Sequence, residues 1–249
     1  MEIFIVIVLL IVAVFIFMKF APVFGGAPDI KSQKLISASP NFNGKVFINL
    51  EPTIDLVKKS SQASMLNFVR QALFPPKGKL PKCPLPNLKF DANALKNGEF
   101  IWLGHVSLIC KLDDKTIITD PVLHRAFPLP IGGKPFAYEL AITASDYPDV
   151  IDIALISHDH YDHLDHKTIL ELKDRICKFL VPLGVKAHLV KWGVDEDKIY
   201  EFDWFGEQKI DVLRVNVEEE DESSLTERFG DNYNLIHKKG DTFKTIMNE

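Results

Sequence analysis

The chain opens on sixteen consecutive apolar side chains: residues 3–18, IFIVIVLLIVAVFIFM, lie between Glu2 and Lys19 without one polar group. An unalternated run of that length exceeds a strand and predicts a helix. It would rise about 24 Å, which Phe20, Ala21 and a snorkelling Lys19 bring close to the ~30 Å of a hydrocarbon core. Residues 1–21 are therefore expected to form a single-pass transmembrane anchor. A cleaved secretory signal fits less well, because no Lys or Arg precedes the run and its length exceeds the usual 7–15 or so apolar residues. Lys19, Lys31 and Lys34 follow the run, too few charges to fix the side of the membrane on which the body lies.

After the anchor the pattern loosens. Residues 24–43 are rich in Gly, Pro, Ser and Asn, the composition of a connector. Residues 22–99 then read as linker and N-terminal extension, with a short strand over 46–50, an amphipathic helix over 53–74 ended by Pro75 and Pro76, and a Pro-rich extended piece up to Phe90. From residue 100 the period changes. Short β-rich runs are predicted over 100–103, 106–112 and 116–119, the last two joined by Asp113-Asp114-Lys115 as a hairpin loop. A loop over 121–135 with four prolines precedes an apolar run over 150–156, broken only by Asp152, which predicts a strand buried on both faces. Helical spacing over 167–177, a strand over 179–181, a helix over 185–192 and a strand over 200–205 complete an alternating α/β region spanning 100–211. Residues 212–249 form an acidic tail.

Composition narrows the class. With 47% hydrophobic residues the chain can build a core, and 29 basic against 34 acidic residues, a net charge of −5, argue against a nucleic-acid partner held by a basic face. The surplus is local: residues 218–249 hold nine acidic and four basic residues, and everything before them is neutral. Cys83, Cys110 and Cys177 are odd in number and lack CxxC spacing, against a disulfide framework or a zinc ribbon.

The densest chemistry follows the buried strand. Residues 157–166, SHDHYDHLDH, hold four of the eight histidines together with Asp159, Asp162 and Asp165. Neutral imidazoles and carboxylates are ordinary zinc ligands, and a spacing of two on an extended turn aims His158 and His160 the same way. Asp162 and His163 fall on the next tight turn, where they can face a second ion. Elsewhere, His105, after Gly104 at a strand end, reads first as a hydrogen-bonded strand-end residue and second as a side chain entering the pocket, His188 as packing or surface, and His166 as solvent-facing. Trp102, Trp192 and Trp204 suit core or seam positions.

The string SHDHYDHLDH resembles the HxHxDH motif of the metallo-β-lactamase superfamily. WLGHVSLICKLDDKTIITDPV at 102–122, FLVPLGVKAHLVKWGV and EFDWF at 179–205 resemble the branch that includes N-acylphosphatidylethanolamine-hydrolysing phospholipase D and ascorbate-phosphate lactonase-like enzymes. The resemblance implies an αββα sandwich of which this chain holds the N-terminal half behind its transmembrane helix. It implies two zinc ions, one on His158 and His160 and the other on Asp162 and His163, with Asp120 orienting the site and Asp162 and Asp120 counted as catalytic. The activity implied is metal-dependent, phospholipase D-like hydrolysis of a lipid or small ester at a membrane. The family's later ligands are expected to be missing: His237 and Gly240-Asp241-Thr242 stand too close together to supply them. A C-terminally truncated, inactive relative is therefore the alternative expectation.

Overall fold

Three antiparallel strands and three parallel ones share one sheet. The computed structural model describes residues 2–49, 70, 74, 77–78, 81–129, 133–207, 209–211 and 242–244. Strands β1 (Phe100–Gly104), β2 (Ser107–Leu112) and β3 (Lys115–Thr119) form a meander. Strands β4 (Ile151–Leu155), β5 (Ile176–Pro182) and β6 (Ile199–Phe202) add on in parallel, in the order β1-β2-β3-β4-β5-β6. The β2–β3 hairpin closes at Leu112↔Lys115, with Asp113 at φ 47° and Asp114 at φ 60°, the left-handed pair whose twist matches the flanking strands. Lys115, expected as the last residue of the loop, thus belongs to the strand.

The central strands are buried on both faces. Ile118, Ala154, Phe179 and Val181 join the larger core with Ile169, Leu172 and Leu189, while Ile117, Ile153 and Leu180 pack on the other face with Phe202. Helix α3 (His166–Leu172) and helix α4 (Lys186–Lys191) are the crossovers between parallel strands. Asp165 caps α3 by accepting from the Lys167 and Thr168 amides, and α3 buries Thr168, Ile169 and Leu172. The helix expected over 167–177 stops short because Ile176 and Cys177 already belong to β5. Ile176 fits either period, and its pairing with Ile151 decides for strand. Similarly, β6 ends at Phe202, and Asp203 turns the chain by accepting from the Trp204 amide at 2.9 Å. No strand forms over 46–49; Phe42 and Phe47 make an isolated bridge. The helix expected over 53–74 falls almost wholly outside the described residues.

The segment after the first helix is docked, not loose. Helix α2 (Ile30–Ala38) is capped by Asp29, and its Ser32 Oγ donates to Glu201 Oε2 at 2.6 Å. Asn41 Nδ2 donates to Asp203 Oδ1 at 3.1 Å. Upstream, Trp192 Nε1 donates to the Pro22 carbonyl (2.7 Å), Lys191 Nζ to that of Gly25 (2.6 Å), and the Gly26 amide to His188 Nδ1 (3.0 Å). Only glycine fits at residue 25, where φ is 71° and a Cβ would stand 1.8 Å from His188 Nδ1.

Helix α1 (Glu2–Phe20) forms over the apolar run, and its described side chains, Phe4 to Phe20, are all exposed. Among the described residues no helix is long and apolar enough to cross a membrane. Strands β7 (Lys209–Asp211) and β8 (Thr242–Lys244) pair antiparallel as a separate two-stranded sheet. The acidic run 218–222, His237 and Gly240-Asp241 lie outside the described residues.

Candidate metal centre

The polar cluster sits where β3 and β4 end. In an α/β sheet, side chains just past the carboxyl ends of parallel strands converge in a crevice left by the diverging loops. Asp120 follows β3 directly. Its amide donates to the Leu155 carbonyl at 2.9 Å, and its backbone is left-handed, φ 37°. That turn directs the carboxylate across to the chain leaving β4, where Oδ1 accepts from the Ser157 amide (2.7 Å) and Oδ2 from Ser157 Oγ (2.6 Å). Asp120 Oδ2 also lies 2.9 Å from His163 Nδ1. Held this way, His163 carries its proton on Nδ1 and leaves the Nε2 lone pair open, the orientation that carboxylate–imidazole pairs impose on metal-binding histidines.

The three aspartates of the motif have different partners. Asp162 Oδ2 is 3.2 Å from His105 Nε2 and 3.8 Å from His163 Nε2. Asp159 lies 3.7 Å from His188 Nε2, and the nearness of that imidazole holds its carboxyl below the usual range. Asp165 is the α3 cap and also accepts from the His124 amide at 3.3 Å. The histidines diverge too. His158, His160 and His163 cluster, the first pair edge-on with ring centroids 4.6 Å apart and His158 and His163 tilted at 3.8 Å. Partial burial, followed by the neighbouring His163 and His160, pulls the His158 pKa below the ordinary imidazole value and favours the neutral, ligating form. His166, expected to face solvent, packs its ring 5.0 Å from Trp192. Trp102 and Trp204, expected in core or seam, are exposed, and only Trp192 is buried.

Among the described residues, His105, Asp162 and His163 bring one donor atom each within 4.8 Å of one another, close enough to share an ion. Asp162 and His163 were expected there; for His105 entry to the pocket was the second reading, behind a strand-end role. His158 and His160 stand beside this group, with Ser157 Oγ 2.9 Å from His158 Nδ1. A cleft of about 740 Å³ opens next to it, lined by His105, Asp162 and Ser107 together with Leu123, Phe136 and Tyr138. Lys134 and His124 reach the same cleft, and His124 Nε2 is 2.9 Å from Glu171 Oε2. His124 had no periodicity or spacing to mark it; only its place one turn beyond Asp120 hinted at the site.

A six-stranded mixed sheet thus carries the histidine loop at the ends of its parallel strands. Residues 115–236 match the family model described as the β-lactamase superfamily domain. The match runs past residue 211 into the acidic tail that was expected to diverge. An uncharacterised protein of Mycobacterium tuberculosis is 32% identical over 76% of this chain and 51% of its own. N-acyl-phosphatidylethanolamine-hydrolyzing phospholipase D 1 of Caenorhabditis elegans is 31% identical over 67% of this chain and 50% of its own. A metal-dependent hydrolase of Saccharolobus solfataricus is 24% identical over 46% of each. The chain spans about half the length of the curated relatives it matches. Among solved structures, the diiron β-hydroxylase CmlA of Streptomyces venezuelae is 27% identical, with a TM-score of 0.35, over 45% of this chain and 21% of its own.

Proposed function

We propose that the protein is a membrane-anchored, zinc-dependent hydrolase that cleaves a phosphodiester or similar ester of a lipid. The observation that carries this reading is the Asp120–His163 pair beside Asp162 at the mouth of the cleft. The donor set fits a divalent metal: His163 presents Nε2 while Asp120 holds Nδ1, Asp162 offers a carboxylate, and His158 and His160 stand alongside as further imidazole ligands. A divalent metal bound there supplies Lewis acidity and makes water a competent nucleophile at neutral pH.

The chain's own residues do the positioning. Asp120 accepts from Ser157 through both its oxygens, so the turn that carries the histidines is fixed to the end of β3 before substrate arrives. Leu123 and Phe136 offer apolar walls for an acyl portion, and Lys134 offers a cation for a phosphate. The exposed apolar face of α1 supports a lipid-bound location. Two relatives support the chemistry by their names, one a phospholipase D and the other a metal-dependent hydrolase.

Protein purified in detergent should carry about two divalent ions per chain. It should hydrolyse bis(p-nitrophenyl) phosphate or N-acylphosphatidylethanolamine in mixed micelles, and His160→Ala and Asp162→Ala should abolish that activity. Protein that binds neither zinc, manganese nor iron after chelator-free purification would overturn the proposal.

A further inference from the structure

We infer that His105 is a metal ligand, completing with Asp162 and His163 a three-donor site. This rests on the metal-dependent reading above and adds a residue outside the histidine motif.

Three observations converge on it. The first is spacing. Donors around a tetrahedral zinc at about 2.0–2.1 Å lie about 3.3 Å from each other. His105 Nε2 and His163 Nε2 flank the same oxygen, Asp162 Oδ2, at 3.2 and 3.8 Å. The second is orientation. His163 Nδ1 is engaged by Asp120, so the nitrogen it turns toward Asp162 and His105 is Nε2, the one left free for an ion.

The third is backbone strain. His105 sits at the β1–β2 turn with φ 49°, in the left-handed region that few side-chain-bearing residues occupy. Among the described residues only five non-glycine residues have positive φ, and two of them, His105 and Asp120, stand at this site. The turn is held from both sides: Trp102 Nε1 donates to the His105 carbonyl at 2.9 Å, and the Tyr138 hydroxyl lies where a Cβ on Gly104 would stand, 2.6 Å from it. The backbone is clamped while the imidazole remains more than half exposed, facing the cleft and Asp162. A histidine serving only to pack or to end a strand needs neither the strained turn nor the exposed ring. The β1–β2 turn therefore brings a third donor to the ion held by Asp162 and His163.

The test uses the full chain in detergent, stripped of metal and titrated with cobalt(II). His105→Cys replaces an imidazole with a thiolate at the same position. A thiolate-to-cobalt charge-transfer band in the near-ultraviolet, absent from the wild-type protein, appears only if side chain 105 reaches the ion. His105→Asn, which tolerates the left-handed turn, should bind one equivalent of cobalt about 10–100-fold more weakly, with an unchanged melting temperature for the metal-free protein. The inference is overturned if His105→Asn binds cobalt like the wild type, or if a folded His105→Cys shows no such band. A wild-type chain that binds no cobalt fails the hydrolase reading itself, which separates the two outcomes.

Discussion

Two buried aspartates stand at opposite ends of the same pair of strands. Asp152, at the start of β4, is fully buried and its Oδ2 accepts from the Thr116 amide at 2.7 Å. Asp120, just past the end of β3, is 4% exposed and accepts from the Ser157 amide at the same distance. Burial, charge and a backbone hydrogen bond are thus common to both. The difference lies in the next shell of contacts: Asp152 Oδ2 fastens the start of β3 to β4, whereas Asp120 also grips an imidazole that faces a second carboxylate and an open cleft. A buried carboxylate marks chemistry only when what it holds has a free end.

The sharpest way to break this comparison is to neutralise each aspartate in turn. Asp120→Asn should lower metal affinity about 10–100-fold by calorimetric titration, because an amide does not fix the His163 tautomer. Its melting temperature should shift little. Asp152→Asn should do the reverse, costing about 1–3 kcal/mol of stability in denaturant unfolding while metal affinity stays at the wild-type value. Identical behaviour of the two variants would erase the distinction. Gly25→Ala tests whether the N-terminal segment is part of the same body. Its Cβ would collide with His188, so a loss of about 1–3 kcal/mol is expected in the same unfolding experiment, with metal content unaltered. The smallest effect concerns pH. Partial burial against Trp192 depresses the His166 pKa below its ordinary 6.5, so the folded chain resists the proton that the unfolded chain accepts. The stabilising contribution is complete above that value and is lost as pH falls below it, and His166→Gln should flatten the acid limb of a melting-temperature profile.

Much of this was legible in the sequence because it was local. The meander, the doubly buried β4 and the SHDHYDHLDH turn are set by period and spacing within ten residues or so. Asp120 as the orienting carboxylate came from the TDP resemblance, and its Oδ2 lies 2.9 Å from His163 Nδ1. What escaped was long-range. His105 meets Asp162 from 57 positions away, and its place after Gly104 at a strand end left entry to the pocket only the second reading, because local spacing does not show where the β1–β2 turn aims it. The stretch at 24–43 read as a connector because composition cannot tell a loose glycine from one pressed against an imidazole. The divergence of the three motif aspartates was also invisible: identical residues spaced by three took a place beside His105, a pairing with His188 and a helix cap. Trp102 and Trp204 misled through their apolar neighbours, since their own positions at a strand edge and a turn leave them exposed.

The clasp between residues 22–26 and α4 has a mechanical meaning. Trp192 to Pro22, Lys191 to Gly25 and His188 to Gly26 are three bonds in one short stretch, and a pull on α1 loads them together. Bonds sheared in parallel yield at once, at a force well above that which peels them singly. A tug on the first helix would therefore be felt at His188, and through it at Asp159 between His158 and His160, before the segment let go.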